Sequence, residues 1–155
     1  MKRNMSALTT ALLISSSSLI VLGQEKTLNR SQLPPAVEKT VQTQSQGATI
    51  KRFITERENG KTVYEAEMIV KGHTKDIQIA KDGTLNEIEE EVSMDSLPLE
   101  VQTALRTKAA GAVITKVESL TRQGSVVAYE ASTLKGSQRG EIQVGPTGKQ
   151  LAHPE

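Results

Sequence analysis

The chain of 155 residues contains no cysteine and no tryptophan, only one phenylalanine and two tyrosines. Without cysteine there is no disulfide, no thiolate metal site, no cysteine nucleophile and no attachment point for a lipoprotein anchor. Three aromatic rings are too few for a platform on which successive bases stack. Neither sign of charge dominates, with 19 basic and 18 acidic residues and a net charge of +1. Lys2 and Arg3 both lie in the first stretch of the chain; without them 17 basic residues face 18 acidic ones. That balance gives no global attraction to nucleic acid or to an anionic membrane. No basic patch interleaved with aromatics occurs, which argues further against nucleic acid. The length suits one modest domain or two very small ones.

Residues 1–23 read as an address. Lys2 and Arg3 precede an uncharged run from Ala7 to Leu22, and Val21-Leu22-Gly23 supplies the small residues of a cleavage site. This is the layout of a secretory signal peptide, cut after Gly23. Ser15 to Ser18 break the run, so it falls short of the about 20 predominantly apolar residues that a membrane span requires. The expected product is exported, periplasmic or extracellular, and free of a stable membrane anchor once the leader is removed. Residues 24–32 are polar and aperiodic and read as a linker.

Regular structure is expected from Leu33 onward. Leu33, Val37 and Val41 recur every four residues on one face of a short helix. Pro34 and Pro35 suit its start, where no internal N–H is needed, and Gly47 suits its end. Ile50 to Glu56 is rich in strand formers and stops at Glu58-Asn59-Gly60-Lys61, a hairpin signal. Val63 to Leu85 then alternates apolar and polar residues, turns at Lys71-Gly72, alternates again and ends at Asp82-Gly83. The acidic run Glu87 to Glu91 reads as a solvated connection or the exposed face of a last strand. It lacks the ligand spacing of an EF-hand loop.

The same pattern recurs 64 residues later. Leu33, Val37 and Val41 match Leu97, Val101 and Leu105; Pro34 matches Pro98, and Gly47 matches Gly111. After one inserted residue, Tyr64-Glu65-Ala66 matches Tyr129-Glu130-Ala131, and Ile77, Ile79 and Gly83 match Ile142, Val144 and Gly148. An internal duplication follows, with units at 33–91 and 92–155. The expected fold class is α+β: a tandem repeat of a helix plus a three- or four-stranded antiparallel sheet, with the helices packed on one face. A unit of about 60 residues is marginal alone, so the two units are expected to associate. Joined edge to edge they would form one wider, twisted sheet with both helices on one side, though two loosely joined domains stay open. Tyr64, Ala66, Met68, Val70, Ile77 and Ile79 point at the helices in this reading. Phe53 and Ile54, both apolar and adjacent, claim opposite faces. The other parity, Glu65, Glu67, Gln78, Glu130, Ser132 and Gln143, faces water and is the candidate protein-binding face. The hairpin tips Asn59-Gly60 and Gly72-His73 adjoin it.

The order of a Leu-Pro-x-x-Val helix, an Ile-Lys-x-Phe strand, an Asn-Gly turn, a Tyr-Glu-Ala strand, an Ile-Gln-Ile strand and Asp-Gly-Thr-Leu resembles the PepSY-like domain. It is similar in particular to the exported group described as β-lactamase-inhibitor-like, and the resemblance runs from Leu33 to about Leu151 as two copies. In the second copy Gly145-Pro146-Thr147-Gly148 stands where the first has Ala80-Lys81-Asp82-Gly83, and the Asn-Gly turn is reduced to Gln123-Gly124. The resemblance implies a non-enzymatic module that grips a protein with a helix-backed concave sheet and inhibits or regulates an extracytoplasmic peptidase or other hydrolase. The alternative is a small exported structural or sensing protein with no inhibitory activity. The family shares no catalytic residues.

The residues themselves give little support to an enzyme. His73 and His153 lie in no H-E-x-x-H spacing, and the chain has no Gly-x-Ser-x-Gly elbow. Glu65 and Glu67 sit two apart on a strand, a spacing open to general acid–base work, but nothing in the sequence signals the burial that would raise a carboxylate pKa. No catalytic residue, metal ligand or cofactor is expected.

Overall fold

The helix signals fold as the proline and leucine positions dictate. Pro34 and Pro35 open α1 (Pro35–Gln44), where the missing N–H and fixed φ cost nothing, and Val37 and Val41 are its buried residues. Pro98 stands in the same way before α2 (Leu99–Ala109), which buries Val101 and Leu105. The computed structural model describes residues 25–58 and 60–153; the expected signal peptide and Asn59 of the expected hairpin tip lie outside the described residues.

The strands are β1 (Lys26–Leu28), β2 (Ala48–Glu58), β3 (Lys61–Val70), β4 (His73–Ala80), β5 (Leu85–Glu91), β6 (Val113–Arg122), β7 (Ser125–Lys135) and β8 (Gln138–Val144). They form one antiparallel sheet in which spatial order equals chain order, β1 to β8. This overturns the expected tandem repeat of a helix plus a three- or four-stranded sheet with helices packed on one face. The reason lies in β5. The acidic run, read as a connection or as a last strand, is a middle strand, laddered to β4 through Ile77↔Ile88 and to β6 through Glu89↔Leu120, so no break separates two sheets. The stretch expected as a linker also contributes a strand, because Lys26–Leu28 pairs with Phe53–Thr55 of β2.

Apolar residues gather in two clusters. One joins Leu33, Val37 and Val41 to Phe53, Ala66, Met68, Ile77 and Ile79. The other joins Leu97, Val101 and Leu105 to Val117, Ala131 and Val144. Tyr64 and Tyr129 are partly buried at their margins. Two glycines let the chain pass close to the helices. A Cβ on Gly83 would lie 2.7 Å from the Ala36 carbonyl oxygen, and one on Gly148 would lie 2.5 Å from that of Glu100. Both have positive φ, so only glycine fits without strain.

The adjacent pair Phe53 and Ile54 resolves simply: both are buried, Phe53 in the first cluster and Ile54 on the opposite face, directly across from Glu65. A register shift between Ile50 and Arg52 precedes them. The turn at Gln123-Gly124 keeps positive φ at both residues, as Lys71-Gly72 does, so the weaker sequence signal makes the same type of hairpin.

Candidate functional site

Alternation along each strand and register between strands assemble a face of carboxylates. Glu65 on β3 lies opposite Gln78 on β4, and Glu67 lies opposite Asp76. Asp76 in turn lies opposite Glu89 on β5, Glu91 opposite Glu118 on β6, and Glu118 opposite Glu130 on β7. Glu130 ends the row opposite Gln143 on β8, with Ser132 opposite Glu141. The candidate residues Glu65, Glu67, Gln78, Glu130, Ser132 and Gln143 therefore stand on one face. Glu65, Glu67 and Gln78 are near β2, Glu130, Ser132 and Gln143 near β8, and residues the sequence reading missed lie between them.

Those missed residues are Asp76, Glu89 and Glu118, whose nearest carboxylate oxygens all lie within 4.8 Å of one another. The parity rule reaches Asp76, two residues before Gln78. Glu89 hides in the acidic run, and Glu118 is placed only by the β6 register. Such a group of oxygens has the donor chemistry of a hard divalent cation. Lys116 already engages it, with Nζ donating to Glu118 Oε1 at 2.7 Å.

The face does not simply meet water, contrary to expectation. Ile54 sits across from Glu65 and Leu120 across from Glu89, and both apolar residues are buried. Val63 and Ala128 are buried on the same parity. Carboxylates hemmed by such neighbours lose hydration, which favours the protonated form. Burial, followed by the charges of Asp76 and Glu67, pushes Glu65 up to about 7. Burial, with Glu67 and Glu118, pushes Asp76 up to about 6. Burial, with Glu87, Glu118 and Glu130, pushes Glu89 up to about 8. Glu130 also rises through burial, although the hydrogen bond donated by Gln143 Nε2 to its Oε2 at 2.6 Å opposes the rise.

Cations neutralise only part of the face. Arg52 pairs with Glu67, and Arg122 Nε donates to Glu87 Oε2 at 2.6 Å. Gln78 is held between Glu58 and Asn86, donating to Glu58 Oε2 and accepting from Asn86 Nδ2. Between these groups lies a cleft of about 120 Å³ lined by Glu56, Glu65, Asp76, Gln78, Glu87 and Glu89. A larger groove of about 560 Å³ lies elsewhere, between the end of α2 and the start of β6. Its cations Arg106 and Lys116 are already bonded to Gln102 and Glu118, so the chemistry concentrates on the carboxylate face. At the hairpin tip, exposed His73 sits with Nδ1 3.6 Å from Glu91 Oε1.

The fold has solved counterparts. A BLIP-like protein from Bacteroides fragilis NCTC 9343 shares 20% identity at a TM-score of 0.54, covering 75% of this chain and 81% of that one. A DUF2874 family protein from Bacteroides ovatus ATCC 8483 shares 18% identity at a TM-score of 0.60, covering 77% and 84%. A protein from Bacteroides eggerthii DSM 20697, provisionally assigned to the periplasm, shares 15% identity at a TM-score of 0.62, covering 76% and 84%. At these identities the likeness is one of fold. The sequence matches no family model and no curated protein.

Proposed function

We propose that this chain is an exported, periplasmic, non-enzymatic protein-binding module that meets its partner with the carboxylate face of its sheet. The observation that carries the reading is the row Glu65, Asp76, Glu89, Glu118 and Glu130, one carboxylate on each of five consecutive strands. A broad strand surface offers what a protein partner needs, namely area and a distinctive charge pattern, and electrostatic complementarity then sets specificity and encounter rate. The signal-like leader and the fold shared with BLIP-like and periplasmic proteins support the same reading. In its finer form the partner is an exported peptidase or other hydrolase whose activity the module restrains.

Affinity capture tests this. The purified chain is immobilised at about pH 9, above the range to which burial raises these carboxyls, and exposed to the exported proteins of its own host. A hydrolase held in stoichiometric amount, inhibited on binding and released by the pair Glu65→Gln and Glu130→Gln, is the expected result. Circular dichroism of the variant checks that the fold is retained. Capture of nothing, or capture indifferent to the two substitutions, sinks the binding-face reading. Capture without loss of activity leaves a structural or sensing role.

A further inference from the structure

We propose that the β8 edge is the joint of a homodimer, in which two copies pair antiparallel through Gln138–Ile142 about a two-fold axis at Gly140. The argument begins with the difference between the two edges of the sheet. Sheet edges are prone to pair with other chains unless they are short, bulged or interrupted by proline. The β1 edge has such protection: β1 is three residues long, and the β2 ladder beside it shifts register between Ile50 and Arg52. The β8 edge is neither short nor bulged, and its charges, Arg139 and Glu141, are of opposite sign, so they repel other chains less than they complement a second copy. Its seven residues hold an unbroken register from Lys135↔Gln138 to Tyr129↔Val144, without proline, and residues 138–141 are exposed.

Register on β8 decides which backbone groups are presented. In a two-residue hairpin closed by Lys135 and Gln138, the even-numbered residues of β8 direct their N–H and C=O at β7. The Thr133 hydroxyl also donates to the Gly140 carbonyl at 3.0 Å, which places that carbonyl on the β7 side. Arg139 and Glu141 therefore point their backbone groups away from the sheet. Antiparallel pairing of two such edges about Gly140 forms hydrogen-bonded pairs between residue 139 of each copy and residue 141 of the other.

Charge complementarity selects this register and this occupant. Directly opposite residues share a face, so Arg139 meets Glu141 of the second copy, twice over by symmetry. Among the described residues neither Arg139 nor Glu141 forms an ion pair within its own chain. Centring the axis on Arg139 or on Glu141 would instead set a charge against its own kind. Glycine on the axis leaves nothing to clash. The assembly is one sixteen-stranded sheet, with the two carboxylate faces continuous across the joint.

Sedimentation velocity of the exported chain over a range of micromolar concentrations tests the joint. A reversible monomer–dimer equilibrium is expected. Arg139→Glu and Glu141→Arg each create two like-charge pairs and should weaken self-association roughly tenfold. An equimolar mixture of the two variants restores complementary pairs in the mixed dimer, so it should associate at least as well as the native chain. Circular dichroism confirms that each variant is folded. A native chain that stays monomeric at every concentration overturns the proposal. So does a dimer that neither substitution weakens, or a mixture that fails to associate.

Discussion

On β3, Ala66 and Met68 are almost completely buried beneath α1, while Glu65 and Glu67 look out from the opposite face of the same strand. The two faces obey different rules. On the apolar face, burial releases water from side chains that never needed it, and each added contact stabilises. On the carboxylate face, the same loss of water acts against charge, and the groups answer by holding their protons. Dryness thus stabilises one side outright, and on the other makes stability depend on pH.

The largest effect expected comes from cutting into the apolar face. Ile77 is fully buried in the first cluster, so Ile77→Ala should cost roughly 2–5 kcal/mol of unfolding free energy in urea titration. A loss well below 1 kcal/mol, on the order of a surface substitution, would mean that the apolar face is not packed as described.

The carboxylate face should show the opposite response and a pH window. Unfolded, Glu65, Asp76 and Glu89 release their protons near about pH 4; folded, they hold them to about 7, 6 and 8. Between these limits the folded chain binds more protons than the unfolded one, so stability falls as pH rises through the window. The effect of these groups is complete above about 8 and absent below about 4. Asp82, held low by its hydrogen bonds from Thr84, works in the reverse sense only at more acid pH. Glu89→Gln should therefore stabilise by on the order of 1–3 kcal/mol at about pH 8.5 and change little at about pH 5. Thermal melts at the two pH values check it, and a variant less stable at both would show that Glu89 is held as a satisfied anion.

The smallest effect should come where the two regimes meet. Lys75 lies on the apolar parity opposite Met68, yet it reaches Glu90 Oε1 at 3.1 Å with its partner half exposed. Lys75→Met extends the apolar row and removes that pair, and the two changes should leave stability within about 1 kcal/mol. A larger loss in urea titration would show the pair to be part of the core's structure.

Much of this could be read from the residues. Val37, Val41, Val101 and Leu105 announce their helices by spacing, and the hairpin from Lys61 to Ala80 follows from alternation and a glycine turn. What escaped has physical causes. Lys26–Leu28 is too short and too polar to show a period, and it becomes a strand because β2 has an edge to cover. Glu87 to Glu91 has one apolar residue, Ile88, so its strand character comes from its neighbours and not from its own composition. Read as a connection or as a last strand, that run leaves open whether the two units share one sheet. The candidate face was legible by parity at its two ends, whereas Asp76, Glu89 and Glu118 come together only through register. Dryness around Glu65 and Glu89 depends on Ile54 and Leu120 across the ladder, which no single-strand pattern contains.

The ordering of the strands has a mechanical side. Because each strand pairs only with those before and after it in the chain, the first and last strands occupy opposite edges of the sheet. A pull applied through β1 and β8 would load the hydrogen bonds one strand at a time, like a zipper, instead of shearing a whole ladder at once. β1, with three paired residues, would yield first, and the seam of four pairs between β5 and β6 is narrower than either neighbouring ladder. Such a molecule can resist heat through its two packed clusters and still give way readily to tension, so its thermal and mechanical strengths need not rise together.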